Sequence, residues 1–188
     1  MRSIIFFILY FVFSPVGAQV TMRDVIRQMP DSLVPYLKQN ARLDFIDFID
    51  SGMKAEVSNE LGGNSQLTVL TDSFASFELN AASQIQLRLL NVSQPVDGAS
   101  QMVCMVRTFG TDLRESTIEF FSVKWQPLPA QQRISLPAYM HRIMLSAEAP
   151  ELTIESETGM DQPADEEQKV LSKTLSKLKW DNQVFKEY

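Results

Sequence analysis

Near Gly52 the spacing of apolar residues changes, and this change limits the folds open to the chain. Before it, apolar side chains recur three and four residues apart, as on one side of a helix. Beyond it they alternate with polar ones, as on a strand. The strand-like runs are residues 54–59, 66–71, 74–79 and 83–90, and Ile85, Leu87 and Leu89 alternate cleanly with Gln86 and Arg88. The connections between these runs are too short for a parallel crossover, which takes about a dozen residues. An antiparallel meander follows. Asp72-Ser73 is one of its turns, and Gly62-Gly63-Asn64-Ser65 another. The second has neither the lysine nor the following helix of a phosphate loop. A further pair, 101–109 and 116–127, flanks Gly110-Thr111-Asp112. Helices first and antiparallel strands after them predict an α+β architecture.

The helical part begins with a short element capped by Thr21, with Val25, Ile26 and Met29 on its apolar side. Pro30 interrupts it. Asp31 or Ser32 can cap a second element over 32–39, in which Pro35 falls in the first turn, where its missing N–H costs little. Asn40 offers a cap for the third, and Gly52 ends that helix. The third element contains LDFIDFID, with Asp44, Asp47 and Asp50 at intervals of three. On a straight helix the end members of that series point about 120° apart. No single ion collects all three readily, and no EF-hand loop is present. The pattern predicts a solvated face opposite Leu43, Phe45, Ile46 and Ile49. A divalent ion site and an acid–base pair are the alternatives.

Later segments are less regular. In residues 117–125, Ile118 and Phe120 lie opposite Phe121, Val123 and Trp125, so a register change or bulge near Phe120 is expected if one face is to be apolar. Pro127, Pro129 and Pro137 punctuate a loop over 126–138. Residues 139–144 fit a helical turn or a short strand, and Leu152 and Ile154 mark a strand over 151–155. Residues 166–176 have helical character, and 177–187 read as a terminal hairpin turning at 181–183. One helix along the whole tail is the alternative. The interval 91–100, containing Pro95-Val96-Asp97-Gly98, offers a junction between two closely coupled halves. Its shortness favours one continuous fold.

The front of the chain has the pattern of a secretory signal. Arg2 precedes an unbroken apolar run over 4–13, Ser14-Pro15 breaks it, and Val16-Gly17-Ala18 supplies the small residues of a cleavage site. The run is shorter than the roughly 20 residues that span a bilayer. The expected organisation is a signal peptide at 1–18 and a single α+β domain at 19–188. With 17 basic and 23 acidic side chains the formal net charge is −6, which repels nucleic acid and anionic lipid surfaces. Cys104 is the only cysteine, so no internal disulfide forms. Its setting, Met102-Val103-Cys104-Met105-Val106, predicts a buried core thiol. His141 is the only histidine, which excludes a multi-histidine zinc site.

The order Met29-Pro30-Asp31-Ser32-Leu33-Val34-Pro35-Tyr36-Leu37, then Asn40, Arg42, Leu43, Asp44 and Ile46-Asp47-Phe48, then Met53-Lys54-Ala55-Glu56-Val57 and Leu61-Gly62-Gly63, resembles an exported protein family of unknown function from the Bacteroidales. Glu119-Phe120-Phe121 through Trp125-Gln126-Pro127-Leu128 resembles its second half. The resemblance covers most of the chain after residue 18 and implies an envelope or secreted location in a gut or oral anaerobe. It carries no catalytic residues. Asp31-Ser32-Leu33 also resembles the three-residue O-glycosylation signal of exported proteins in that group, with a helix cap as the unmodified alternative. Asn91-Val92-Ser93 is an N-linked sequon.

For function, the residues predict no catalytic, cofactor or metal site. The only Cys–His combination is Cys104 with His141, and no nucleophile elbow accompanies it. The leading expectation is a noncatalytic periplasmic or secreted module that binds a protein, peptide or small ligand. The alternative is a structural or assembly component of an envelope complex. A hydrolase using Cys104 and His141 ranks third.

Overall fold

The structure, a computed structural model, describes residues 19–157 and 172–188. Helix α1 (Met22–Gln28) opens with a reciprocal cap. The Asp24 N–H donates to the Thr21 hydroxyl at 3.3 Å, and the Thr21 N–H donates to the Asp24 carboxylate at 3.1 Å. Where a second helix is expected, only one 3₁₀ turn forms (Asp31–Leu33). Neither Asp31 nor Ser32 caps it, since Pro30 holds the cap position without a side-chain bond. The Asp31 carboxylate turns instead to Arg42. Helix α2 (Gln39–Asp50) starts earlier than the sequence predicts, with Asn40 inside its first turn and Lys38 at the cap position. Its end matches expectation. Gly52 has φ 68°, its N–H donates to the Ile49 carbonyl, and the Met53 N–H donates to the Phe48 carbonyl. That pair of bonds satisfies carbonyls the helix leaves open.

Beyond Gly52 seven strands pair antiparallel in chain order: β1 (Glu56–Ser58), β2 (Asn64–Leu70), β3 (Phe74–Asn80), β4 (Ser83–Val96), β5 (Ala99–Phe109), β6 (Glu115–Ser122) and β7 (Pro127–Leu128). Strand β4 runs past Leu90 to Val96, so residues 91–100 belong to the β4–β5 hairpin. Its two-residue turn, Asp97 at φ 50° and Gly98 at φ 82°, has the positive dihedrals that match strand twist. A second sheet holds β8 (His141–Leu145), β9 (Glu151–Glu157), β10 (Ser172–Trp180) and β11 (Phe185–Glu187), in the order β11-β10-β9-β8. Residues 139–144 thus resolve to a strand over most of their length. The terminal hairpin forms. The expected C-terminal helix does not extend into 172–176, which pair with β9 as strand, and this also excludes a helix along the whole tail. The first part of that expected helix, 166–171, lies outside the described residues. The chain is α+β, and predominantly β.

The layers are helices, large sheet, small sheet. One core lies between the helices and the large sheet: Phe45 and Ile46 of α2 meet Phe77, Leu87 and Met105. The other lies between the sheets: Leu90, Cys104, Val106, Ile118 and Phe120 meet Ile143, Ile154, Leu178 and Trp180. This explains why residues 117–125 need no bulge. The β5–β6 register runs unbroken from Met102↔Ser122 to Phe109↔Glu115. Phe120 enters the inter-sheet core, while Phe121 and Trp125 enter the helix-side core. Both faces are apolar because both are covered. The buried run Met102 to Val106 has the same cause.

Polar side chains of the large sheet fasten the edge strand β8. The Ser116 hydroxyl accepts the Ile143 N–H at 3.0 Å and contacts the Thr108 hydroxyl at 2.8 Å. The Gln86 carbonyl oxygen accepts the Leu145 N–H at 3.0 Å. Arg88 donates to the Ser146 carbonyl at 2.6 Å. Edge N–H groups that could recruit another strand are thereby used within the chain. Ser116→Ala leaves the buried Ile143 N–H without this acceptor. The expected loss is about 1–2 kcal/mol, read as a lower urea midpoint at unchanged slope.

Candidate functional site

The residues singled out in the sequence do not converge. Asp44, Asp47 and Asp50 are all exposed, and Asp50 pairs with Arg23 at 2.8 Å. They form the wet side of α2. Among the described residues no group of three or more His, Cys, Asp or Glu side chains is placed to hold a metal ion. Cys104 is completely buried in the inter-sheet core. Burial pushes its thiol far above the ordinary thiol range, and the nearby Arg88 guanidinium offsets this only in part. A protonated thiol closed off from solvent is not an available nucleophile. His141 is buried too. Its Nδ1–H donates to the Tyr139 carbonyl at 2.7 Å, and its Nε2 has no partner among the described residues. Neither ring nitrogen bonds Cys104.

The two modification motifs are also placed. Ser32 is exposed on the 3₁₀ turn. Asn91 and Ser93 lie inside β4. The Asn91 carbonyl accepts the Trp180 indole N–H at 2.6 Å, and the Ser93 hydroxyl accepts from the Gln183 side-chain amide at 2.9 Å.

The structure does assemble a polar cleft of about 400 Å³ at one end of the layers, from three separate chain segments. The β3–β4 turn contributes Glu78, Asn80, Ser83 and Gln84. The β5–β6 end contributes Thr108, Gly110 and Arg114. The edge strand β8 contributes Arg142. Local chemistry fixes each part. The Asn80 side-chain oxygen accepts the Ala82 N–H at 2.9 Å, which closes the β3–β4 turn. The Gly110 N–H donates to the Ala82 carbonyl at 2.9 Å, binding that turn to the neighbouring one. Strand alternation sends His141 and Ile143 inward and leaves Arg142 at the cleft.

Among the described residues, the guanidinium groups of Arg114 and Arg142 and the carboxylate of Glu78 line the cleft. Arg114 approaches the Thr111 carbonyl at 3.5 Å. Arg142 lies across from Glu155 in the β8–β9 register, and its Nε is shielded from solvent without a hydrogen-bond partner among the described residues. The remaining polar side chains are neutral: Asn80, Ser83, Gln84 and Thr108, of which the buried Thr108 hydroxyl already contacts Ser116 and the Gln84 amide donates to the Ser76 hydroxyl at 3.3 Å. Such a surface can orient a polar molecule. The sequence reading missed these residues. The available signals were Gly110 after an alternating run and a cation beside the only histidine. Neither indicates that 78–84, 108–114 and 142 meet.

Residues 15–162 match the family model described as "Protein of unknown function (DUF3256)". A solved structure of a domain of an uncharacterized protein from Porphyromonas gingivalis W83 has a similar fold. Its TM-score is 0.73 at 17% sequence identity, over 91% of this chain and 99% of that chain. At that identity the likeness concerns the fold alone. No curated protein matches the chain. Among the described residues, no helix is long and apolar enough to cross a membrane.

Proposed function

We propose, for a chain that belongs to the DUF3256 family of unknown function, the role of a noncatalytic binding module in the cell envelope or outside the cell. The observation that carries the binding role is the polar cleft of about 400 Å³, whose walls come from three segments held together by hydrogen bonds. That volume falls within the range of small-molecule sites. What supports export is the leader pattern over 1–18, residues that lie outside the structural description. Catalysis finds no support in Cys104, which is buried and protonated, or in His141, whose Nδ1 is engaged by a backbone carbonyl.

A second reading, an assembly component, has its own observation. Leu136, Tyr139 and Met140, close together just before β8, are 38%, 57% and 43% exposed. Exposed apolar side chains within one short segment favour contact with another protein.

Native and denatured mass spectrometry of protein isolated gently from its own host's envelope tests both readings. The expected result is a noncovalent small molecule bound in the native spectrum and a denatured mass beginning at Gln19. A stable complex with another protein would favour assembly. Recovery from the cytosol with residues 1–18 intact would overturn export, and a bare monomer would overturn stable binding of either kind.

A further inference from the structure

Separate from the polar cleft, we propose that a groove at the opposite end of β4 takes an N-acylated amino acid with an apolar side chain, the chemistry of a peptide's C-terminal residue, and that Arg133 holds its carboxylate. The groove measures about 220 Å³ and lies between the outer part of the β4–β5 hairpin, the β10–β11 turn and the loop that carries Arg133. That volume is below the several hundred Å³ of drug-sized sites, and suits a ligand of one residue rather than a longer chain. Its charge is one-sided. Among the described residues, Arg133 is the only charged side chain on the wall. Partial burial lowers its pKa from the ordinary guanidinium value, and no neighbouring carboxylate counters this. Two acidic residues adjoin the wall in sequence. Asp181 is engaged by the Gln183 and Val184 N–H groups and by Lys186, and Asp97 stands exposed in the turn at the hairpin tip, outside the lining.

Arg133 is held but not used up. One of its Nη–H groups donates to the Pro129 carbonyl at 2.5 Å, and the guanidinium lies over the Phe120 ring, 5.9 Å from the centroid. A guanidinium has further N–H donors in a fork that matches a carboxylate, and the half-buried Arg133 leaves them within reach of solvent. The rest of the wall has two characters. Met102 and Trp180, both buried, and Val92 and Val96, both half-buried, supply apolar surface. The exposed Gln94, Gln132 and Asn182 carry side-chain amides with no hydrogen-bond partner among the described residues, and these complement the amide of an acylated amino acid. Other polar groups build the groove itself. The Trp180 indole N–H donates to the Asn91 carbonyl at 2.6 Å, and the Gln183 amide to the Ser93 hydroxyl at 2.9 Å. The Ser93 N–H donates to the Asn182 carbonyl at 3.0 Å, and the Phe185 N–H to the Arg133 carbonyl at 2.8 Å. These bonds lock the three walls together, and a preformed site avoids the cost of ordering loops on binding.

Isothermal titration of the purified protein with N-acetyl-leucine and N-acetyl-phenylalanine reads the inference directly. Three comparison ligands each lack one feature: N-acetyl-leucinamide the charge, N-acetylglycine the apolar group, and 4-methylpentanoate the amide. At least one of the first two acids is expected to bind about ten-fold or more tightly than N-acetyl-leucinamide and N-acetylglycine, and several-fold more tightly than 4-methylpentanoate. Arg133→Gln should weaken that binding by about ten-fold or more. Gln94→Glu sets a carboxylate at an exposed position of the wall and should weaken it several-fold, which gives a readout even if Arg133→Gln folds poorly. Arg142→Gln, in the polar cleft, should leave it unchanged. Acetyl-Ala-Ala-Leu separates the two sources of this chemistry: binding at least as tight as that of N-acetyl-leucine supports a peptide end, and weaker binding supports a free acylated amino acid. Equal binding of acid and amide, unmoved by Arg133→Gln, would overturn the carboxylate assignment, and N-acetylglycine binding as tightly as N-acetyl-leucine would overturn the apolar part. No binding of any probe at about 10 mM would overturn the inference, with the native spectrum still deciding the broader reading.

Discussion

Arg42→Ala is expected to lower unfolding stability by about 3–5 kcal/mol, the range for breaking a buried charged network on one side. Arg42 is 1% exposed, although it lies on a helix whose other charged residues face water. Its guanidinium donates to the Leu37 carbonyl at 2.6 Å and to the Met29 carbonyl at 2.5 Å, and it pairs with the Asp31 carboxylate at 2.9 Å. It thereby closes the segment between α1 and α2, which forms only one 3₁₀ turn and leaves carbonyls without helical partners. Truncation opens a cavity and strands two buried carbonyls. Apolar residues can often replace a buried ion pair when both partners are removed. Here the principal acceptors are main-chain groups that no substitution removes. Arg42→Met therefore restores volume but not bonding, and should lose about 2–3 kcal/mol. Asp31→Asn should lose less than about 1 kcal/mol, because Asp31 is half exposed and water screens its contribution. Urea unfolding followed by tryptophan emission ranks the three variants. The Trp125 indole N–H donates to the Val25 carbonyl of α1 at 3.0 Å and reports on the helical layer, while Trp180 reports on the core between the sheets. If Asp31→Asn proved as damaging as Arg42→Ala, the ion pair rather than carbonyl satisfaction would be the source of stability.

The buried position of Arg42 marks the kind of information that sequence spacing carries poorly. Spacing located the wet face of α2 correctly, because Asp44, Asp47 and Asp50 alternate with apolar residues on a regular helix. It located the change of regime at Gly52 and the antiparallel pairing, because short connections leave no other choice. It did not reveal that one residue of the helix, Arg42, points inward to serve the backbone of a neighbouring segment. That role depends on where Met29 and Leu37 stop making local hydrogen bonds. The same limit explains the expected bulge at Phe120. One apolar face is the default for an antiparallel strand, and two apolar faces require a second layer. That layer comes from β8 to β11, whose pairing links 141–145 with 151–157 and then with 172–180. The cleft follows from this stacking. Glu78, Thr108 and Arg142 are far apart in sequence, and each looks like an ordinary strand-end residue until the two sheets bring them to one end.

Gly110→Ala probes that end of the molecule, and is expected to cost about 2–4 kcal/mol through backbone strain and steric displacement together. Gly110 has φ 108°, a conformation L-residues with a Cβ rarely adopt. An added Cβ would lie 1.9 Å from the Leu113 carbonyl oxygen and 3.0 Å from its carbonyl carbon. Both atoms are backbone, so no side-chain rotation relieves the overlap, and the β5–β6 turn must move. The Gly110 N–H also holds the Ala82 carbonyl at 2.9 Å, so movement there loosens the β3–β4 turn as well. Gly98→Ala is the matched control. Gly98 has φ 82°, but its added Cβ would meet nothing within 4 Å. Only the dihedral penalty applies there, about 1–2 kcal/mol. The difference between the variants isolates the contact with Leu113. Urea midpoints should fall further for Gly110→Ala, and any ligand binding at the cleft should weaken in that variant alone. A Gly110→Ala protein within about 0.5 kcal/mol of the parent would mean that the turn relaxes without strain. The bond from Gly110 to Ala82 would then not fix the geometry of the cleft.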